Sequence, residues 1–220
     1  GLRQPCVYML EYLEWTYTDK RYQQGPRPEL SRKEWTDVKP TMGLVLPNLP
    51  YLICENGPKI TQSNAILRYL GKCAGLAGSN PAEAATIDMW GDFVMDVRNM
   101  AVRHYYRSNT PESVAEFKTQ RLAPKLDQIA TLLKDNKFLN GDNLTWPDFH
   151  MAEILDQYRL FAPELFEKQD VLIAYIKRFQ ALPKIAAYIK SGRFQAWPVN
   201  NVSASWGGDI ANPPKNLILQ

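Results

Sequence analysis

Two short stretches carry residue types that could hold a small peptide acid. In Asn48-Leu49-Pro50-Tyr51 a proline stands at a strand entrance, where its missing N–H prevents ordinary ladder pairing. A cis Leu49–Pro50 bond would turn the Leu49 N–H and C=O outward, as a backbone edge that a peptide-like ligand can pair with. About a dozen residues later, Gln62-Ser63 opens a helix whose unpaired N–H groups and positive dipole end favour a carboxylate or phosphate. Upstream, Arg32, Trp35 and Lys39 offer cationic and indole donors, the last two on one face if their segment is helical. Each feature also has a plainer reading: an X-Pro turn, an N-cap serine, a solvated loop.

These residues need elements to position them. Leu2, Cys6, Met9, Leu10 and Leu13 recur at helical spacing; residues 15–18 are β-prone; residues 23–34 are polar and proline-bearing. The pattern predicts helix, strand and long surface loop. Residues 51–54 and 59–61 flank the turn Glu55-Asn56-Gly57-Pro58 and predict two antiparallel strands. Ser63 is placed to cap a helix with apolar positions Ile66, Leu67, Leu70 and Ala74, ending at Gly75 and Gly78. From Pro81 onward the pattern is helical throughout. One stripe runs through Ile87, Trp90, Val94, Val97 and Ala101, a second through Val114, Phe117, Leu122, Leu126, Ile129 and Leu133. Thr145 and Asp148 make a capping box with Leu144 and Phe149 as its staple, and shorter helices follow near residues 172–179 and 185–189.

Composition removes whole classes. Of the 220 residues, 45% are hydrophobic and 11% aromatic, which excludes global disorder. The 26 basic residues exceed the 23 acidic ones by three and are scattered, so no nucleic-acid footprint appears. The longest charge-free run, residues 40–54, contains three prolines and is too short to span a membrane. Residues 1–15 do not read as a secretory signal. Cys6, Cys54 and Cys73 fit neither a disulfide framework nor a metal site, which suits a reducing cytosol. The sequons at Asn143 and Asn201 are then coincidental, and His104 and His150 receive no role.

Pro47-Asn48-Leu49-Pro50-Tyr51-Leu52 and Ile60-Thr61-Gln62-Ser63-Asn64-Ala65-Ile66 closely resemble the mu-class glutathione S-transferases. So do Gly1-Leu2-Arg3-Gln4-Pro5, Ser31-Arg32-Lys33-Glu34-Trp35, Val94-Met95-Asp96, Asn140-Gly141-Asp142, Ile154-Leu155-Asp156-Gln157-Tyr158 and Ala187-Tyr188-Ile189-Lys190-Ser191, and the likeness runs to about Trp206. The resemblance implies an α/β, thioredoxin-like glutathione domain at residues 1–78, an all-α helical-bundle domain with an electrophile pocket at 79–206, and a loosely held tail at 207–220. It implies a cytoplasmic homodimer in which glutathione is co-substrate, hydrophobic electrophiles are the second substrate, and no cofactor or metal takes part. Carried over, the glutathione contacts are Arg32, Trp35 and Lys39 at the glycyl end, Asn48 and Leu49 along the backbone, and Gln62 and Ser63 at the γ-glutamyl end. Asp96 answers to the carboxylate that reaches the partner subunit's glutathione amine, and Tyr106 to the tyrosine that assists the electrophile.

The chain departs from the family's pattern in places. Val7 stands where an arginine is usual, and Leu46 where a phenylalanine locks the mu dimer. The Gly-Tyr-Trp strand that precedes this first helix in the family, with its thiol-activating tyrosine, has no counterpart here, so the expectation is a natural protein with about ten more residues upstream. Glutathione conjugation is the reading that follows; a non-catalytic glutathione-binding, structural or ligand-carrier protein on the same scaffold is the alternative. Trp90, Met100 and Tyr105 could line the electrophile pocket or simply fill the core.

Overall fold

The computed structural model describes residues 1–107, 110–215 and 217–219. Helix α1, Arg3–Tyr12, turns its Cys6, Val7, Met9 and Leu10 inward and is followed by an irregular run to α2, Lys33–Thr36, and a single 3₁₀ turn, Lys39–Thr41. Strands β1, Tyr51–Ile53, and β2, Lys59–Thr61, pair antiparallel with Leu52 opposite Ile60, as the turn chemistry between them predicts. Residues 15–18 form no strand, contrary to their β-propensity. A strand requires a neighbouring backbone to pair with; here residues 15–23 and 49–55 border the same large cavity instead.

Helix α3, Ser63–Cys73, buries Ile66, Leu67 and Leu70 and ends before Gly75, whose φ of +73° is the left-handed conformation a helix stop favours. Ser63 is its first helical residue rather than its cap. The cap position belongs to Gln62, whose side chain makes no capping bond. Burying three aliphatic side chains is worth about 2 kcal/mol each, against about 1 kcal/mol for a missing cap, so packing holds α3 without one.

The helical part comprises α4 (Pro81–Tyr106), α5 (Pro111–Phe117), α6 (Ala123–Leu133), α7 (Trp146–Phe161), α8 (Pro163–Phe166), α9 (Asp170–Gln180) and α10 (Pro183–Lys190). The stripe expected to form one helix across residues 114–133 is divided by a wider π turn at Lys118–Leu122. Pro124, just beyond it, lacks the N–H for an i−4 bond, and the wider turn absorbs the break. Helix α7 lies at the centre, packed by α1, α3, α4 and α9, with all its residues but Asp156 buried. Its predicted start is present. The buried Asp148 carboxyl accepts from the Thr145 N–H (2.8 Å) and hydroxyl (2.9 Å), the Leu139 N–H (2.9 Å) and the Tyr175 hydroxyl (2.7 Å).

Trp146, the first residue of α7, joins the two halves. Its N–H donates to the Leu76 carbonyl, 3.0 Å away, and its indole lies where α3 and α4 present glycines. A Cβ at Gly91 would stand 1.9 Å from the ring and one at Gly71 2.9 Å from the Trp146 Cβ, so only glycine allows this approach. Near the end of the chain Arg159 donates to the Leu217 carbonyl at 3.1 Å and Leu219 packs on the core.

Candidate functional site

The head of α3 is unusual from the backbone outward. Gln62 has φ +73° and ψ +113°, outside the comfortable regions for a residue with a side chain, and conformations of this kind cost about 1–3 kcal/mol and cluster at functional sites. The next residues, Ser63 and Asn64, face a cavity of about 340 Å³ with Gln62 and with Asp92, Met95 and Asp96 of α4. Asp92 and Asp96 are one turn apart and share a helix face. Asn64 donates from Nδ2 to the Gly91 carbonyl at 2.9 Å, while its Oδ1 is buried without a partner. The cavity therefore sets an uncapped helix N-terminus against two carboxylates and an unsatisfied amide oxygen. Donors on one wall and acceptors on the other suit the carboxylate and ammonium of an α-amino acid.

Leu49 sits across a cis bond from Pro50 and is exposed, as its sequence context predicts. Its N–H already donates to the Asn48 Oδ1 at 2.9 Å, so a ligand carbonyl would have to replace that local bond. Leu49, Pro50 and Tyr51 border a second, larger cavity of about 1210 Å³, whose walls also include Tyr8, Arg98 and Tyr106.

Trp35 is held by aromatic contacts that the spacing did not announce. Its indole stacks on Tyr51 at 6.0 Å and tilts against Tyr22 at 5.2 Å, and the Tyr22 and Tyr51 hydroxyls share a 2.9 Å hydrogen bond. Burial first, and the Tyr22 hydroxyl second, push the Tyr51 phenol up to about 12. The backbone N–H of Gln23 donates to Glu34 of α2 at 2.6 Å, which ties the loop to this cluster. Arg32 precedes α2 and is exposed; Lys39 opens the 3₁₀ turn, half-buried.

The structure thus brings Gln62, Ser63 and Asp96 to one cavity and Leu49 and Tyr106 to another; Arg32, Trp35, Lys39 and Asn48 border neither. Tyr106, the last residue of α4, is 37% exposed and receives a weak bond from the Asn201 N–H at 3.5 Å. Burial raises its pKa above the ordinary tyrosine value, so it is a protonated donor at neutral pH. Tyr8 is fully enclosed by Phe179, Tyr188 and Phe194, and burial lifts it further. Tyr105 belongs to the core, not to a pocket wall, in edge contact with Phe161. Asn64 is the contributor that motif reading missed; its type suggested nothing, and only its orphaned oxygen marks it. Among the described residues no cluster of three or more His, Cys, Asp or Glu gathers to hold a metal, and no helix is long and apolar enough to cross a membrane.

Two family models match the chain: the N-terminal domain of glutathione S-transferases over residues 4–72 and their C-terminal domain over residues 95–192. The chain belongs to the glutathione S-transferase family. It is 38% identical to glutathione S-transferase 2 of Gallus gallus over 94% of this chain and 93% of the relative. It is also 38% identical to glutathione S-transferase Mu 3 of Homo sapiens, over 94% and 91%. Among solved structures it is similar to the glutathione S-transferase Blo t 8, with a TM-score of 0.82, 31% identity and coverage of 94% and 95%. A pi-class glutathione S-transferase of Onchocerca volvulus shares the fold at a TM-score of 0.78 and 24% identity, over 93% and 95%. The mu-class resemblance and the expected architecture, a thioredoxin-like half with a small sheet followed by helices, both stand.

Proposed function

We propose that the chain is a glutathione transferase that binds the tripeptide along the α3 head and the Leu49 edge and directs its thiolate at a hydrophobic electrophile. The observation that carries this reading is the cavity shared by Gln62, Ser63, Asn64 and Asp96. The γ-glutamyl carboxylate meets the N–H groups at the start of α3. Asp96 is the counter-charge of the γ-glutamyl ammonium, supplied across a two-fold axis in a homodimer, with Asn64 Oδ1 as a further acceptor. Leu49 pairs with the cysteinyl backbone once Asn48 releases its N–H, and Arg32, Trp35 and Lys39 receive the glycyl carboxylate. Residues 1–78 make up the glutathione domain and 79–206 the domain that offers the electrophile its surface.

A free thiol of pKa about 8.5 is mostly protonated at neutral pH, and lowering it by two units requires about 2.7 kcal/mol of preferential thiolate stabilisation. That stabilisation comes from hydrogen-bond donors and positive charge in a partly dry cavity. Tyr106 then donates to charge that develops on the electrophile. Isothermal calorimetry with glutathione, paired with a conjugation assay on an activated aryl halide, tests the reading. Binding with turnover is expected; no glutathione binding sinks the site, and binding without turnover sinks the transferase.

The protein works as a homodimer in the cytoplasm. Val45 and Leu46, 93% and 62% exposed on the loop before the cis bond, offer the apolar contact. Leucine fills a partner pocket less fully than a phenyl ring, so the dimer is weaker than in relatives with phenylalanine there. Sedimentation at micromolar concentration should show a dimer, and monomer alone would contradict it.

A further inference from the structure

Trp35 is the buried residue of α2, a helix of four residues whose Lys33, Glu34 and Thr36 are all exposed. A single turn has little stability of its own, so what the indole packs against decides where α2 sits. That packing is aromatic. Tyr51, the first residue of β1, lies nearly parallel to the indole, at 16°, and Tyr22, in the irregular run between α1 and α2, meets it at 57°. The two phenol rings also meet each other, 6.3 Å between centres, and their hydroxyls share the 2.9 Å hydrogen bond. Three chain segments thus close one ring of contacts. A second tie runs beside it, from the Gln23 N–H to the Glu34 carboxylate at 2.6 Å. Tyr51 is two residues beyond Leu49, and both border the larger cavity with Tyr22, whereas the indole belongs to the element between Arg32 and Lys39. The clasp therefore sets the distance from the Leu49 backbone edge to the cationic and indole donors.

We propose that Tyr22 and Tyr51 are positioning residues that fit the site to a carboxylate one residue beyond the Leu49 edge, and so select the tripeptide; this rests on the assignment above of the glycyl carboxylate to Arg32, Trp35 and Lys39. Neither phenol is given a contact with the ligand. Both act through Trp35. One peptide residue spans at most about 3.6 Å, and a hydrogen bond is largely gone once its heavy atoms separate by about that much. A shift of α2 by a fraction of one residue is then enough to part the glycyl carboxylate from its donors, while the γ-glutamyl end at the head of α3 stays seated.

The test is calorimetry on the whole chain with glutathione and with its glycyl monoethyl ester, in which that carboxylate carries no charge. The unaltered chain should bind glutathione at least tenfold more tightly than the ester. Tyr22→Phe and Tyr51→Phe each keep the ring and delete the shared hydrogen bond, so each should weaken glutathione about fivefold and leave the ester unchanged. Because both delete the same bond, the doubly substituted chain should lose no more than either alone. Trp35→Phe separates this inference from the assignment beneath it. If the unaltered chain shows no preference for glutathione, or if Trp35→Phe keeps the preference, the glycyl assignment fails and the inference with it. If Trp35→Phe reduces the preference while the tyrosine variants keep it in full, weaken both ligands equally or add their losses in the double variant, the positioning role alone is overturned.

Discussion

Two helix starts in this molecule solve the same problem in opposite ways. At α7 the first turn is closed by its own chain: Asp148 accepts four hydrogen bonds in a site with no water access, two of them from Thr145. At α3 the corresponding place is occupied by Gln62 in a left-handed conformation with no side-chain cap, and the turn opens on a cavity. Both helices bury apolar side chains; α3 is held by that packing without a cap, whereas α7 adds its closed start to the packing. A completed start is structural, whereas an open one leaves donors for a ligand to satisfy.

The sharpest way to break this contrast is Asp148→Ala, which strips the acceptor from four donors inside the bundle. Leaving buried donors unpaired should cost about 4 kcal/mol in urea-induced unfolding. A loss below 1 kcal/mol would show that the α7 start is not closed as described.

Acid tests the dryness of the same helix. His150 is fully buried, neither ring nitrogen has a partner, and burial first of all lowers its pKa to about 4. Its folded value lies below the ordinary 6.5, so the unfolded chain takes up the proton first. Stability from this group is complete above pH 6.5 and is lost as pH falls towards 4, by about 3 kcal/mol in all. Denaturation midpoints measured across that range should fall, and His150→Leu should flatten the decline. An unchanged slope in the variant would assign acid sensitivity elsewhere.

At the open start the expected effect moves from stability to binding. Ser63→Ala should weaken glutathione binding by about 1.5–3 kcal/mol and change unfolding by less than about 0.5 kcal/mol, because the hydroxyl caps nothing in the free chain. Equal calorimetric affinities for the two proteins would remove Ser63 from the site. Smallest is Tyr106→Phe, which should leave glutathione affinity intact and lower kcat/KM about tenfold, for some electrophiles only, the worth of one neutral hydrogen bond. A matching fall in glutathione affinity would contradict the role given to Tyr106.

Legibility along the sequence followed the range of the interactions involved. The hairpin at residues 51–61 and the Thr145–Asp148 start are short-range devices, complete within a few residues, and the sequence displays them in full. The cis Leu49–Pro50 bond was readable for the same reason. The β-prone residues 15–18 misled because a strand is a property of two segments, and their neighbour in space is a cavity. The clasp of Tyr22, Trp35 and Tyr51 brings together residues far apart in sequence, and no periodicity records it. Within the site, residue types pointed to Gln62 and Ser63, yet Asn64, their immediate neighbour, became visible only through an amide oxygen left without a donor.

The indole packed between Gly71 and Gly91 has a spectroscopic consequence. Of the six tryptophans, Trp146 is completely screened from solvent, its Nε1 has no hydrogen-bond partner, and the Arg68 guanidinium lies 5.0 Å from its ring centre. An indole in so dry a place emits at the blue end of the tryptophan range, close to a cation that perturbs it. Because α3, α4 and α7 all meet at this ring, its fluorescence is a built-in gauge of whether the two halves of the molecule are seated against each other. Loosening of α3 alone would register as a red shift before the rest of the bundle melts.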